Sequence, residues 1–340
     1  MRFRTLLAAA LVPVLALAAG CGGGDAPTST NAEGKQLDKV KLTLNWYPYG
    51  EHAPFYYGKS QKIFEKHGID LEILAGQGSQ KTIQATAAGQ TDFGWADTPA
   101  LLAGVGQGMK VKSVGVFLQT SPASVQFFSD KNISSPADLK GKNIASTAGD
   151  ALSKTFPAFL KVNGLTDADV KLTNVDGAGK MAAVLGGQTD ALLGFATDQG
   201  PTIQERGKKP VSYLKFAEHG LNFFSNGLLT SQKNLEDKKD LVTRMVAASS
   251  EAWTAAQGNV GAAVEAMKGA SEQLPSVAVL TEQFGATVKL LHTDATNGKA
   301  PGVNDEADWR KTIQVFADAG VIPKAQEPSA YWDVSFAPKG

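Results

Sequence analysis

The chain has 340 residues, and its 33 basic and 33 acidic side chains give a formal net charge of zero. This balance, with no basic cluster after the N-terminus, argues against nucleic acid or an anionic membrane surface as an electrostatic partner. A chain of this length exceeds the usual size of a single core, so we expect two lobes. Cys21 is the only cysteine, which rules out a disulfide within the chain.

The N-terminal segment has the features of an export signal. Arg2 and Arg4 precede an apolar run over residues 5–19, whose length of about 15 residues is typical of a signal peptide and too short for a spanning helix. The run ends in Leu17-Ala18-Ala19-Gly20-Cys21, which resembles a bacterial lipobox, where the cysteine is lipidated and becomes the mature N-terminus. We therefore expect a signal peptide over residues 1–20 and lipidation of Cys21. The alternative is an ordinary signal peptide followed by a chance cysteine.

Residues 21–38 are rich in Gly, Ser, Thr and Pro and lack apolar periodicity. This composition predicts a flexible tether, so the fold is expected to begin near Lys39. No later segment contains enough consecutive apolar residues to span a bilayer. The expected location is the extracytoplasmic face of the cell membrane, with the protein anchored by the lipid on Cys21.

Hydrophobic patterning predicts a β-α-β-α-β unit in the first third of the chain. Alternation predicts strands over residues 40–44 and 69–74, and an amphipathic helix lies between them over 53–67, stopped by Gly68. A second helix over 80–88 follows the turn Gly76-Gln77-Gly78-Ser79 and precedes a strand over 93–95.

A second unit repeats this order. Strands are predicted at 143–146, 170–175 and 191–194, with helices at 151–163 and 180–185. The tetrapeptide Gly-Gln-Thr-Asp begins at residue 89 and again at residue 187, which is 98 positions later. The helix-stopping glycines Gly68 and Gly164 are 96 positions apart. Matching offsets of this kind predict one structural unit used twice.

Strands that alternate with helices predict an α/β fold with two lobes, each built on an open, mostly parallel sheet. Strand-like segments at 111–117 and 124–128 suggest a first crossing near 118–124, and a second crossing is expected near 221–228. Lobe 1 would then comprise residues 39–118 and 225–340, and lobe 2 residues 119–224. Helices predicted over 237–257, 275–292 and 304–319 are expected to cover lobe 1. A ligand would bind in the cleft between the lobes.

Several segments point to a family. Leu44-Asn45-Trp46-Tyr47-Pro48 and Glu51-His52-Ala53-Pro54-Phe55-Tyr56 resemble the L-D-W-x-P and E-H-A-P-x-Y opening of solute-binding proteins for pyrimidine precursors of thiamine. Fungal thiamine-pyrimidine synthases share that fold. The resemblance continues through residues 89–94 and 135–142 and covers most of the mature chain. It implies a two-lobed periplasmic-binding-protein type II fold and delivery of a ligand to an ABC permease.

The resemblance leaves the ligand open, because the wider superfamily also takes up nitrate, taurine, alkanesulfonates and other small aromatics. This chain has Asn45 where the family often has Asp, and Tyr49 where it often has Asn. It also lacks the cysteine-rich segment associated with the fungal enzymes.

The loop after the first strand is rich in aromatic side chains, whose flat faces suit a planar heteroaromatic ligand. Its aromatic residues, with one histidine, are Trp46, Tyr47, Tyr49, His52, Phe55, Tyr56 and Tyr57. We expect two or three of them to line the cleft, Trp46 and Tyr47 first and with Tyr56 as a further candidate, while the others pack in the core. His52 fits a structural role as well as a ligand donor, and the family resemblance favours the second.

Acidic residues follow three predicted strands: Asp97, Asp150 and Asp198. A carboxylate there can accept hydrogen bonds from an exocyclic amine or a ring N–H. Asp150 could equally stabilise a helix N-terminus and Asp97 could cap the helix that begins at Thr98-Pro99.

Three polar residues complete the candidate ligand-binding set. Ser79 and Thr147 lie in glycine-rich turns, whose backbone N–H groups at helix starts could hold an anion or a carbonyl oxygen. Gln119 lies in the first predicted crossing. The mature chain has only three arginines, all predicted to lie in helices or at helix ends: Arg206, Arg244 and Arg310. Without a bidentate clamp for an acid, a neutral or amine-bearing ligand is favoured.

We therefore predict a binding protein without catalysis, cofactor or metal, which acts as a monomer and delivers its ligand to a membrane permease. The four histidines have no metal-like spacing, and no pairing of a nucleophile with a base is visible. The alternative ligands are a sulfonate, nitrate, taurine or an aromatic acid. Alternatives from other classes are a thiamine-pyrimidine synthase-like enzyme and a ligand-sensing lipoprotein.

Overall fold

The computed structural model describes residues 28–148, 150 and 152–338, without the side chains of Ser153 and Lys154. Cys21 and the predicted signal peptide lie outside these residues. The strands in this part of the chain are β1 (Thr28–Thr30), β2 (Gln36–Thr43), β3 (Ile69–Leu74), β4 (Phe93–Asp97), β5 (Val111–Val116), β6 (Ala123–Phe128), β7 (Asn143–Ser146), β8 (Lys171–Asn174), β9 (Ala191–Phe195), β10 (Val211–Lys215) and β11 (Asn226–Ser231).

The α-helices in the same residues fill the gaps between strands and form most of the last third of the chain. They are α1 (Ala53–Ser60), α2 (Ile63–Lys66), α3 (Ser79–Ala87), α4 (Thr98–Gly106), α5 (Leu152–Val162), α6 (Gly177–Leu185), α7 (Gln199–Gly207), α8 (Gln232–Asp237), α9 (Lys239–Gln257), α10 (Val260–Glu265), α11 (Val277–Val288) and α12 (Glu306–Asp318).

Two sheets with the same topology form the centre of the molecule. The first has the order β3-β2-β4-β11-β5, with β1 added beside β2, and the second has the order β8-β7-β9-β6-β10. In each sheet three strands are parallel, and the next two run antiparallel to their neighbours. The repeated unit read from the sequence thus corresponds to β2-β3-β4 and β7-β8-β9. The antiparallel partners, β11 and β6, each follow a crossing from the other sheet.

The chain passes between the two sheets twice. Strands of the first sheet come from residues 28–116 and 226–231, and those of the second from residues 123–215. The crossings therefore occupy residues 117–122 and 216–225. This arrangement gives two α/β lobes with a cleft between them.

The predicted tether is too long at its C-terminal end. β1 pairs with β2 in an antiparallel hairpin, and Leu37 is buried. The turn between them is closed by the Asn31 side chain, which accepts hydrogen bonds from the backbone N–H groups of Glu33 and Lys35, and Gly34 adopts φ 78°. The fold therefore already includes Thr28, well before Lys39.

The helix predicted over 53–67 is two helices. Lys62 adopts a left-handed conformation with φ 57°, which ends α1 and starts α2 in a new direction. Both Ile63 and Phe64 of α2 are buried in the core of the first lobe.

The C-terminal helices do more than cover the first lobe. α9 packs there, with Trp253 stacked 5.4 Å from Trp95 of β4. In α12, however, Phe316 lies 4.9 Å from Phe223 at the second crossing. α11 likewise contacts both lobes through the side chain of Gln283. Both helices thus stabilise the position of one lobe relative to the other.

Candidate ligand-binding site

A small cavity of about 30 Å³ lies between the lobes. The loop after β2 and the start of α3 form one wall, and the starts of α5, α6 and α7 with the end of β9 form the other. The lining residues are Asn45, Trp46, Tyr49, Gly78, Ser79, Asp150, Leu152, Lys180, Gly194, Phe195, Asp198 and Gln199.

The loop that carries Asn45 and Trp46 is held by the glycine-rich turn before α3. The N–H groups of Gly76 and Gly78 donate to the carbonyl oxygens of Trp46 and Asn45, at 3.0 and 2.8 Å. A β-carbon at position 76 would lie 1.8 Å from the Leu44 carbonyl oxygen, so only glycine allows this approach. These two N–H groups, which the sequence suggested as ligand donors, therefore position the aromatic loop instead.

Trp46 is the main aromatic contact between the lobes. A β-carbon at Gly177, the first residue of α6, would lie 2.6 Å from the indole, so the glycine lets α6 approach the ring. The Tyr47 ring meets Trp46 edge-on at 5.7 Å. Nζ of Lys180 lies 5.0 Å from the ring centroid, within the range of a cation–π interaction.

Lys180 and Asp150 form a buried ion pair in the floor of the cavity. Nζ lies 2.8 Å from Asp150 Oδ2, and the two side chains are 3% and 7% exposed. Nζ also donates to the Leu193 carbonyl oxygen at 3.0 Å, and Asp150 Oδ1 accepts from the Leu152 N–H at 3.0 Å. Each charge is thus compensated where water is excluded, as a buried pair requires.

A second layer of polar residues supports the wall of the first lobe. Glu51 accepts hydrogen bonds from the Tyr49 hydroxyl, Trp95 Nε1 and Asn226 Nδ2, at 2.6, 2.7 and 2.5 Å. Burial raises the pKa of Glu51, while these hydrogen bonds oppose the shift. The carboxylate therefore fixes Tyr49 against the cavity.

His52 belongs to the same layer and is fully buried. Its Nδ1 lies 3.3 Å from the Tyr49 N–H, and its Nε2 lies 2.8 Å from Asn45 Oδ1. Burial lowers its pKa to about 3, so the ring is neutral, with Nδ1 accepting and Nε2 donating. The ring thereby orients the Asn45 carboxamide, which lines the cavity.

Two carboxyl groups have unusual protonation. Burial raises the pKa of Asp198 to about 7, with the Glu51 charge adding to the shift and the Lys180 charge opposing it. Burial likewise raises the pKa of Asp97 to about 8, although the Ser225 hydroxyl donates to it at 2.7 Å. Near neutral pH such groups hold a proton for much of the time, so they can donate a hydrogen bond as well as accept one.

Seven of the ten predicted site residues lie in or around the cavity, in three groups. Trp46, Ser79, Asp150 and Asp198 line the cavity. His52 and Asp97 lie directly behind its wall, fully buried. Tyr47 lies at the mouth of the cleft, in a wider opening that also contains Arg206.

The remaining predicted residues are not among those that line the cavity. Tyr56 packs against the core of the first lobe, and its burial raises its pKa to about 12. Gln119 donates to the carbonyl oxygens of Leu291 and Val303, and Thr296 donates to it. The Thr147 hydroxyl is buried without a hydrogen-bond partner among the described residues, and Gly149 of its turn lies outside them.

Lys180 is the most important residue that sequence reasoning missed. It lies in the first turn of α6, where the helix dipole disfavours a cation. This unfavourable position is the feature of the sequence that could have indicated a functional role for Lys180. Gln199, Phe195 and Tyr49 also line the cavity without having been predicted as ligand contacts.

Within the described residues, no group of three or more His, Cys, Asp or Glu side chains is arranged to hold a metal ion. None of the helices in that part of the chain combines the length and apolar character needed to cross a bilayer.

Comparison with known proteins identifies the family and the fold of the chain. A family model described as NMT1/THI5 like matches residues 50–262. The periplasmic aliphatic sulphonate-binding protein of Escherichia coli superposes with a TM-score of 0.66 at 18% identity, over 87% of this chain and 92% of that one. At this identity the likeness establishes the two-lobed periplasmic-binding-protein fold, as the resemblance implied.

The sequence relatives include binding proteins and an enzyme. A formylaminopyrimidine-binding protein of Halalkalibacterium halodurans is 23% identical over 207 residues, which cover 61% of this chain and 62% of that protein. This chain therefore spans less than two thirds of that relative. A riboflavin-binding protein of Chloroflexus aurantiacus is 23% identical over 93% of this chain and 91% of its own length. A 4-amino-5-hydroxymethyl-2-methylpyrimidine phosphate synthase of Uromyces fabae is 27% identical over 52% of this chain and 53% of that enzyme.

Proposed function

The chain belongs to the NMT1/THI5-like family, and we propose that it is a solute-binding protein that captures a small planar nitrogen heteroaromatic, such as an aminopyrimidine, for an ABC importer. The fold supports a solute-binding role, because the cavity lies between two lobes that are joined, in the described residues, by two chain crossings. Closure of such lobes around a ligand is a common form of domain motion.

The observation that carries the ligand class is the pairing of Trp46 with acidic groups in one small cavity. An aromatic ring stacked on Trp46 would bring its exocyclic amine or ring nitrogen within the space lined by Asp150 and Asp198. The name of the relative from H. halodurans supports this class. The cavity is small, which favours a single ring over riboflavin with its three fused rings and side chain.

Lys180 gives one reason to consider an anion instead. Lys180 lines the cavity, whereas the small number of arginines had led us to expect no cation in the site. The E. coli structural neighbour is also named for sulphonate binding. However, Asp150 already compensates the charge of Lys180 at 2.8 Å. An anionic ligand would therefore face the pair, Asp198 and the buried Glu51 without a net positive charge to hold it.

Calorimetric titration with a panel of ligands tests this proposal. The panel contains 4-amino-5-hydroxymethyl-2-methylpyrimidine, its N-formyl derivative, riboflavin, taurine, an alkanesulfonate, nitrate and benzoate. We expect an aminopyrimidine to bind with a Kd of about 1 μM or tighter. Tighter binding of a sulfonate, nitrate or benzoate than of both pyrimidines would contradict the proposed ligand class. Turnover of the bound pyrimidine would contradict binding without catalysis.

The proposal includes export and lipid anchoring at Cys21, which lies outside the described residues. Its support is the apolar run over residues 5–19 that leads into the single cysteine of the chain. The Cys21→Ser variant is expected to leave the membrane fraction and to enter the soluble exported fraction. Serine cannot carry the acyl chains that, in this proposal, hold the protein at the membrane. Detergent partitioning of cells that express each form measures this, and a variant that stays with the membrane would refute the anchor.

A further inference from the structure

Gln126 is a buried polar residue that the site described so far does not use. It lies in β6, the strand that pairs with β10 on one side and β9 on the other. Its side chain is fully buried and lies against the Cα of Gly194 in β9. The same face of the second sheet is covered by α6 and α7, which supply Lys180 and Gln199 to the cavity.

The carboxamide of Gln126 makes no hydrogen bond with any described residue, through either Nε2 or Oε1. Two other buried glutamines of the chain behave differently. Gln119 binds two carbonyl oxygens and a hydroxyl, and Gln283 binds the Gly50 N–H and the Asp198 carbonyl oxygen. A buried amide without partners is destabilising, whereas an apolar side chain of the same shape is not. Such an amide is expected to have a further partner, such as a ligand or an ordered water.

The position of Gln126 indicates where that partner binds. Gly194 lines the cavity, and a β-carbon at this position would lie 2.7 Å from Gln126 Nε2 and 2.2 Å from Gln199 Oε1. Because residue 194 is glycine, the carboxamides of Gln126 and Gln199 both lie against it, and Gln199 is the one that lines the cavity. The Thr197 hydroxyl, in the turn between β9 and α7, is also buried without a partner among the described residues.

We propose that Gln126 is a specificity-determining residue, which binds a polar edge of the ligand where Gly194 and Gln199 meet the cavity. A carboxamide offers one donor group and one acceptor, so it matches a ligand edge with the complementary pair. A ring nitrogen beside an exocyclic amine has such an edge, and so does a ring amide. This inference rests on the proposed function in one respect only, namely that the cleft holds a small ligand.

The test compares Gln126→Met with Gln119→Met, which removes a carboxamide of the same size from a residue bonded outside the cavity. Calorimetry uses the member of the ligand panel that the wild type binds most tightly, and urea unfolding without ligand measures stability. We expect Gln126→Met to leave the unfolding midpoint unchanged or higher, because no hydrogen bond is lost, and to weaken binding at least tenfold. Gln119→Met is expected to lower the midpoint and to leave the affinity within twofold.

Two results would overturn the proposal. One is an affinity of Gln126→Met within twofold of the wild type. The other is a fall in the unfolding midpoint like that of Gln119→Met, which would mean that an internal water or the protein itself already satisfies the amide. A ligand analogue without the donor and acceptor edge gives a second measure, because wild type and Gln126→Met should bind it equally. If a sulfonate proves to be the best ligand, the proposed ligand class fails, but the ratio between the variants still decides the role of Gln126.

Discussion

Replacing Lys180 with methionine is expected to lower the free energy of unfolding by about 3 kcal/mol or more, as is typical when one partner of a buried ion pair is removed. The methionine keeps most of the volume but withdraws the ammonium from Asp150, which lies 2.8 Å away and is 7% exposed. The largely buried carboxylate would then lose the charge of Lys180. Urea unfolding of the ligand-free protein measures the loss.

A matched control comes from a pair with similar geometry at the surface. Lys131 Nζ lies 3.1 Å from Asp190 Oδ1, but both side chains are about one-third exposed. Lys131→Met should therefore cost less than about 1 kcal/mol. The double variant Lys180→Met with Asp150→Asn should recover part of the stability lost by Lys180→Met alone, because the buried negative charge is removed together with the positive one. Equal costs for the two lysine variants would contradict the burial argument.

Replacing Trp46 with alanine is expected to weaken binding of an aminopyrimidine by about 2 kcal/mol or more, on the order of thirtyfold in Kd. The indole lines the cavity and bridges to α6, so the substitution removes both the stacking surface and a part of the apolar burial. Calorimetry on the wild type and the variant gives the ratio directly.

Tyr47→Ala is the appropriate control, because the sequence favoured both aromatic residues but Tyr47 lies at the mouth of the cleft rather than in the cavity. We expect its effect on Kd to be several times smaller than that of Trp46→Ala. Sulfonate binding that is tight and survives Trp46→Ala would mean that the stacking assignment is wrong. Such a result would leave the fold untouched.

The repeated unit made the fold predictable. The matching glycines Gly68 and Gly164 end helices at equivalent positions, and they adopt φ values of 74° and 70°. Hydrophobic periodicity therefore located the parallel strands of both sheets. Hydrophobic periodicity gave less information about α4, α7 and β10. It gave none about the antiparallel direction of β6 and β11, because each of these strands enters its sheet from the other lobe.

The site was less predictable, because residues that contact each other there are far apart in the sequence. The loop after β2 and the strand ends were visible as candidates because each lies next to a recognisable element, and Trp46, Ser79, Asp150 and Asp198 do meet in one cavity. Lys180 was overlooked because its partner Asp150 is 30 residues away, and its unfavourable position in the first turn of α6 does not identify that partner. Gln119 was a candidate because of its place in the crossing, but the crossing turns its amide towards residues 291–303 instead.

The position of β11 has a consequence for the order in which the fold can be assembled. β11 fills the centre of the first sheet between β4 and β5, yet it begins at residue 226, long after β5 ends at residue 116. Until that segment arrives, β4 and β5 present open edges, and its arrival must close a long loop. The strands of the second sheet all lie within residues 123–215. The second lobe is therefore complete in local sequence before the first can close, so an intermediate with only the second lobe folded would expose the edges of β4 and β5.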